Sequence, residues 1–281
     1  MSTAFFLCPA KVNLVLQVLR KRKDGYHDIY GIFQKIALFD EIELLRPKRT
    51  FHLDFECEEV IPLRENILYK TWRLFRETFK IQEEIHIKVK KRIPLGAGLG
   101  GGSSNAATLL KALCKIYEIP QREVIEIAKR IGADVPFFLS SYFASEVEGI
   151  GEILRPFPNY KAFFLLIYPG FKIETRWAYQ ALNLTIEKKP VKYEPCLPPW
   201  ETKEGLINDF KDLLYRKYPL YERLEKLLLK EGAKAVNITG TGSTIYGIFE
   251  KAPLLSFVRL KKFLNGVKIY LAKNLDGEED F

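Results

Sequence analysis

The run that most constrains this chain is Ile93-Pro94-Leu95-Gly96-Ala97-Gly98-Leu99-Gly100-Gly101-Gly102-Ser103-Ser104-Asn105-Ala106-Ala107. Ahead of it, Ile85, Ile87 and Val89 alternate with His86, Lys88 and Lys90, the period of a strand with one buried face. Behind it, Ala106, Leu109, Leu110, Leu113 and Tyr117 recur at helical spacing, with Asn105, Thr108, Lys111 and Lys115 on the other side. The segment reads strand, glycine-rich loop, helix, with Ser103 or Ser104 as the expected N-cap. Its glycines remove every Cβ that would hold a ligand away from the backbone. Loop N–H groups and the positive end of the helix then converge on one spot. That is an anion site, and for a loop of this length the expected anion is a polyphosphate. There is no Gly-Lys-Ser/Thr ending, which excludes a P-loop, and the lysine-bearing strand does not suit a dinucleotide fingerprint.

With 281 residues the chain has room for one large or two ordinary domains and a sizeable core. No apolar run approaches the ~18 residues of a membrane-crossing helix. Phe5-Phe6-Leu7 is too short, and lacks the basic flank, for a signal peptide. Cys8, Cys57, Cys114 and Cys196 lie far apart and form no Cys-x-x-Cys pair, so reduced thiols in a cytoplasmic protein are expected. His27, His52 and His86 show no metal-ligand spacing, and no residue is assigned as a direct metal ligand. A formal charge of +9 fits either nucleic-acid binding or the steering of polyanionic small substrates. The basic residues are dispersed apart from Arg20-Lys21-Arg22-Lys23 and the stretch Lys88 to Arg92.

Phe5 to Leu19 is strand-like, with Lys11, Asn13, Val15 and Gln17 on one face and Val12, Leu14, Leu16 and Val18 on the other. Asp24-Gly25 marks a turn, and Phe33 to Leu45 a strand pairing back. Asn66 caps a helix to Phe79; a second helix opens at Pro120 and closes at Gly132. Gly149-Ile150-Gly151-Glu152 reads as a turn between strands, and a domain boundary is placed near Pro156-Phe157-Pro158. Beyond it come a strand (162–168), helices (175–182, 206–218 and 220–230), strands (233–238 and 244–249), a helix (253–264) and a strand (267–271). With the three helices as one connection, that is the ferredoxin-like order. The polar, proline-rich run 183–203 reads as a flexible loop and 276–281 as an acidic tail.

Two charged side chains stand out from apolar surroundings. Asp134 follows Gly132-Ala133 and precedes Val135-Pro136-Phe137-Phe138, where it is either a working carboxylate or a helix cap. Lys11 follows Pro9-Ala10 in an apolar strand and is either an edge charge or a buried, paired one. In order along the chain come Pro9-Ala10-Lys11-Val12-Asn13-Leu14, Asp24-Gly25-Tyr26-His27, the glycine loop, Gly132-Ala133-Asp134-Val135-Pro136-Phe137, and Gly240-Thr241-Gly242-Ser243-Thr244. From Lys11 to Ser243 this series resembles the GHMP kinases, the small-molecule kinases that include galactokinase, homoserine kinase and mevalonate kinase.

The resemblance implies an α+β, two-domain GHMP kinase fold. Residues 1–157 would form a ribosomal-protein-S5-like domain and residues 158–281 a ferredoxin-like domain, with the active site in the cleft between them. It implies ATP and Mg²⁺ as cofactors, with ATP held by Pro94, Leu95, Gly96, Ala97, Gly98, Leu99, Gly100, Gly101, Gly102, Ser103 and Ser104. Asp134 becomes the general base and Lys11 its partner. The opening motifs resemble the branch that phosphorylates the 2-hydroxyl of a small alcohol carrying a cytidine diphosphate group, in the non-mevalonate isoprenoid pathway. By that resemblance Tyr26 stacks on cytosine and the backbone of His27 reads the pyrimidine edge. Tyr179 supplies a second aromatic, with Trp177 as the fallback, and Asn13, Tyr30, Gly240 and Thr241 add substrate contacts. The acidic Mg²⁺ ligand of some relatives has no counterpart, which leaves the ion to Ser103 or Ser104, ATP oxygens and water. Neither a nucleic-acid nor a membrane partner is implied. Two other readings stay open: a GHMP kinase with a different alcohol, and an RNA-binding protein, which suits the charge but gives Asp134 no role.

Overall fold

A long hairpin carries the first of two β-sheets. Apolar residues run through β1 (Ala4–Lys21) and β2 (His27–Leu45), which pair antiparallel around the turn at Gly25, where φ is +87°. The computed structural model describes residues 4–45, 50–184 and 187–277; the end of the acidic tail, 278–281, lies outside them. The single apolar face expected for Val12, Leu14, Leu16 and Val18 is corrected. The register slips between Asn13 and Val15, so Val12 and Leu14 pack in one core cluster and Leu16 and Val18 in the other. A bulge of this kind re-aims every residue beyond it.

β3 (His52–Glu56), α1 (Ile67–Phe79), β4 (His86–Lys90), α2 (Gly101–Ile116), α3 (Ile125–Ile131), α4 (Val135–Leu139), β5 (Ala144–Gly149) and β6 (Ile153–Pro156) complete the first half. The sheet order is β3-β4-β2-β5-β6, with β1 also on β2; β3 and β4 run parallel. Asn66 caps α1 by accepting from the Leu68 N–H, and Leu68, Trp72 and Phe75 bury its apolar stripe. In α2 the expected serine cap is corrected. Gly100, at φ +70°, is the N-cap, which moves Ser103 and Ser104 into the first turn.

The second half runs β7 (Phe163–Tyr168), α5 (Thr175–Ala181), α6 (Lys211–Lys217), α7 (Leu220–Lys230), β8 (Ala235–Ile238), β9 (Ile245–Phe249), α8 (Leu254–Phe263) and β10 (Lys268–Lys273). Its all-antiparallel order β10-β7-β9-β8 is the ferredoxin-like arrangement. The α6 helix starts at Lys211, not at Leu206, because the preceding residues lie along β1. Leu16 N–H donates to Ile207 O at 2.8 Å and Asp209 N–H to Leu16 O at 3.0 Å. Within the run 183–203, expected as a flexible loop, Lys188 and Val191 are tied to β1. The Gln17 amide exchanges two hydrogen bonds with the Val191 backbone, and Lys188 N–H donates to Leu19 O. No helix among the described residues is long and apolar enough to cross a membrane.

Two buried charges hold parts of the first half together. Asp40, fully buried, accepts from the backbone N–H groups of Arg92 (2.7 Å) and Ile93 (2.9 Å) and from Asn105 Nδ2 (3.0 Å), and pairs with Lys91. Lys91 in turn donates to Asn105 Oδ1 at 3.0 Å. Asn105 thus belongs to the core, not to the solvated side of α2. Lys35 is also buried, with its ammonium 2.9 Å from Ser140 O and over the Phe137 ring. Burial, reinforced by Lys111, holds its pKa down from 10.5 to about 7.

Asp40→Ala leaves a buried lysine and two backbone donors without their acceptor, and denaturant unfolding should register a loss of about 3–5 kcal/mol. Lys35 carries a pH signature. Between about 7 and 10.5 the unfolded chain holds a proton that the folded chain has released, so stability rises with pH in that window. In parallel urea titrations, wild type should gain on Lys35→Met as pH rises through it; a pH-independent difference would contradict the burial.

Candidate active site

The glycine loop is stitched down by its carbonyls. Leu99 O accepts from Lys11 N–H of β1 (3.0 Å), Ala97 O from Thr244 N–H (3.2 Å), and Gly98 O from Thr239 Oγ1 (3.0 Å). The N–H groups from Gly98 to Ser103 are not drawn into hydrogen bonds with the described residues. Carbonyls tied down and N–H groups left without protein partners, at the start of a long helix, are an arrangement able to hold an anion. Gly98 is fixed by space as well as by its φ of +77°. A Cβ there would lie 2.2 Å from Thr239 O and 2.9 Å from Gly242 O, the turn of the second sheet.

This loop forms one wall of a cleft of about 700 Å³ bounded by β1, the β1–β2 turn, the start of α4, α5 and the turn at 240–241. Asp134 sits at the N-cap position of α4 but makes no side-chain capping bond. Its carboxylate instead faces Lys11, Oδ2 to Nζ 3.5 Å. The Lys11 side chain is nearly fully buried and that of Asp134 is 29% exposed, so the carboxylate is the member open to the cleft. Lys11 Nζ also donates to Asn13 Oδ1 (2.6 Å) and lies over the Phe33 ring. Burial pushes the Lys11 pKa below its ordinary value, and Asp134 pulls it back up. Asn13 is held in turn by Thr239, whose hydroxyl accepts from its N–H at 3.1 Å and lies 3.1 Å from its Oδ1, the one hydroxyl proton being shared between that oxygen and Gly98 O.

At the other end, Tyr26, His27 and Tyr179 line the cleft together, Tyr26 58% exposed. The His27 and Tyr179 rings lie 4.8 Å apart and tilted by 32°. Burial, with Lys21 nearby, lowers the His27 pKa, which favours a neutral ring. Gly240 and Thr241 close the cleft from the second sheet.

Several expected residues fall elsewhere. Tyr30 is fully buried in the core, because one residue beyond the cleft-lining Ile29 a strand side chain points to the opposite face. Trp177 lies under the Lys217 ammonium and not in the cleft. Of the paired serines, Ser103 lines the cleft and Ser104 lines a separate cavity with Lys35. Gly98 and Gly100 face the cleft, Ala97 and Leu99 point into the core, and Gly101 is buried. Gly96 packs on Lys172, and a Cβ on Gly102 would meet only Ile67. Pro94 and Leu95 line a neighbouring pocket of about 450 Å³ with Cys57 and Tyr270. The basic runs are largely ion-paired: Arg20 and Arg22 with Asp28, Lys88 with Glu56, Lys91 with Asp40, Arg92 with Glu41. Sequence reasoning missed Thr239, although it abuts Gly240-Thr241, and Asn208, whose amide donates to Ile238 O and Gly240 O. It also treated the histidines as unrelated. His52 and His86 meet at Asp54, outside this cleft.

Residues 66–142 match the family model for the GHMP kinases N terminal domain, and residues 200–261 that for the GHMP kinases C terminal domain. A protein of Desulfotalea psychrophila named 4-diphosphocytidyl-2-C-methyl-D-erythritol kinase is 38% identical over 254 residues, covering 87% of this chain and 85% of its own. A protein of the same name from Thermosipho melanesiensis is 37% identical over 262 residues, 89% and 92% of the two chains. A crystal structure of 4-(cytidine 5'-diphospho)-2C-methyl-D-erythritol kinase superposes with a TM-score of 0.78 at 30% identity, covering 98% of this chain and 100% of its own. Homoserine kinase from Cytophaga hutchinsonii shares the fold, with a TM-score of 0.66 at 18% identity and coverage of 99% and 96%.

The contact of Gly98 with the 239–242 turn sets a prediction. Gly98→Ala should lower the thermal midpoint and weaken nucleotide binding by at least about tenfold, since the clash is with backbone that has no side chain to swing away. Nucleotide titration by calorimetry checks it.

Proposed function

The chain belongs to the GHMP kinases, on the branch of the 4-diphosphocytidyl-2-C-methyl-D-erythritol kinases, and from that premise we propose how its own residues carry the reaction. The γ-phosphoryl group of ATP passes in line to the 2-hydroxyl of 4-diphosphocytidyl-2-C-methyl-D-erythritol. The observation that carries this reading is the Asp134 carboxylate, freed from helix capping and turned to a buried lysine across from a loop of unengaged N–H groups. As the new O–P bond forms, Asp134 takes the hydroxyl proton and the bond to the ADP oxygen breaks. Lys11 holds the carboxylate beside the acceptor. The N–H groups at the start of α2 hold the phosphates and stabilise the charge that develops on them.

Mg²⁺ fits this setting. Ser103 lines the cleft at the first turn of α2, with its hydroxyl near Gly132, and an oxygen donor there suits a hard ion carried on phosphate oxygens. Ser104, turned to the other cavity, does not serve. When bound, the ion neutralises phosphate charge. The planar cytosine is received among Tyr26, His27 and Tyr179, whose aromatic faces suit stacking. Asn13, its Oδ1 engaged by Lys11 and Thr239, offers the acceptor its amide N–H groups. We divide the chain at 157/158, so that the loop, Lys11 and Asp134 come from one domain and Tyr179, Gly240 and Thr241 from the other. Four free thiols suit a reducing cytoplasm. RNA binding loses ground because its basic runs are largely ion-paired.

A coupled ADP-release assay with ATP, Mg²⁺ and the cytidyl alcohol tests the reading. Wild type should turn over only with substrate present, and Asp134→Asn should lower kcat by about 10²–10⁴-fold with ATP binding intact. Equal activity in the variant would remove Asp134 from the chemistry. No turnover by ATP-binding wild type would remove the substrate.

A further inference from the structure

The parallel pairing of β3 and β4 sets His52 directly opposite His86 and Asp54 opposite Lys88. Residues two apart on a strand share a face, so His52, Asp54 and His86 stand together on one side of the sheet. His86 Nε2 lies 2.7 Å from Asp54 Oδ2, and His52 Nε2 lies 3.0 Å from Asp54 Oδ1. The two imidazoles meet edge to face, 4.6 Å between centroids at 84°. One ligand atom from each residue falls within 4.8 Å of the others. Among the described residues this is the one group of three or more His, Cys, Asp or Glu side chains to converge in this way.

The surroundings suit an ion better than a simple bridge. Lys88, the cation across from Asp54, pairs with Glu56 at 3.4 Å, which leaves the Asp54 carboxylate to the imidazoles. The side chain of His86 is 9% exposed and anchors the group, while those of His52 and Asp54, at 43% and 44%, leave a path from solvent. Both Nε2 atoms aim at one carboxylate, and with the proton moved from Nε2 to Nδ1 each ring presents there the lone pair a metal needs. We propose that His52, Asp54 and His86 bind one divalent first-row transition ion of the Zn²⁺ or Co²⁺ type, with a further position open to water. Two imidazole nitrogens and one carboxylate oxygen are donors of intermediate softness, which select such ions over Mg²⁺ and Ca²⁺. The ion ties β3 to β4. Just beyond their C-terminal ends lie Cys57 to Glu59 and Lys91 to Ile93, which line the pocket beside the phosphate loop. Its role is structural, apart from the Mg²⁺ that accompanies ATP.

The full-length protein, stripped with chelator and desalted, is titrated with Co²⁺ and then with Zn²⁺, with and without excess Mg²⁺. The expected result is one equivalent of Co²⁺ with visible d–d absorption, displaced by Zn²⁺ and indifferent to Mg²⁺, and a thermal midpoint raised by Zn²⁺. His52→Gln, Asp54→Asn and His86→Ala should each weaken Co²⁺ binding by more than about 10-fold, the lower limit of what even outer-shell changes produce. Their kinase activity with Mg²⁺ and ATP should stay at the wild-type level. The half-exposed His52→Gln keeps the test decisive should His86→Ala fold poorly. Absence of stoichiometric Co²⁺ binding, equal binding by His52→Gln, or loss of binding in excess Mg²⁺ would each overturn the proposal.

Discussion

The carboxylate of Asp40 is the fixed point of this molecule. One of its oxygens receives the backbone N–H groups of Arg92 and Ile93, where the chain enters the phosphate loop, and the other receives the Lys91 ammonium from that same entry and Asn105 from the first turns of α2. A charge buried this deeply is tolerable only because every lone pair is used, and the network is strong for the same reason. It joins strand β2, the approach to the loop and the first turns of the helix into one unit. The loop between these ends therefore has little freedom before any ligand arrives.

That rigidity is carried onward by the loop's own carbonyls. Leu99 is bound to β1, Gly98 and Ala97 to the turn that joins β8 and β9 of the second sheet. The same stitches that leave the loop N–H groups without protein partners also tie the two sheets together. Thr239 links them: its hydroxyl stands between Gly98 O and Asn13 Oδ1 with one proton to share between them, and Asn13 in turn accepts from Lys11. The ammonium facing Asp134 is thus positioned from three elements at once. Catalysis by a kinase rests largely on such preorganised positioning.

Much of this was legible in the sequence because it is local. The strand–loop–helix signal, the Asn66 cap and the ferredoxin-like order each rest on periodicity within one segment. Lys11 and Asp134 stood out as charges in apolar runs, and the motif series joined them. Features that depend on a single-residue phase were not legible. The αL conformation of Gly100 moved the helix start and separated Ser103 from Ser104; strand parity sent Tyr30 into the core; a bulge divided the apolar face of β1. Features that depend on partners distant in sequence were invisible. Asp40 waits on residues 91–105, Asn105 looked solvated until Asp40 was in place, and the start of α6 gave way to hydrogen bonds with Leu16. His52 and His86 show no ligand spacing because only the parallel register of β3 and β4 brings them together.

The most direct measurement is a crystal structure of the protein with a non-hydrolysable ATP analogue and 4-diphosphocytidyl-2-C-methyl-D-erythritol. The account predicts phosphates on the N–H groups between Gly98 and Ser103, and cytosine among Tyr26, His27 and Tyr179. It places the 2-hydroxyl within about 2.6–3.2 Å of the Asp134 carboxylate. A 2-hydroxyl turned away from Asp134, or phosphates lying off the loop, would contradict it.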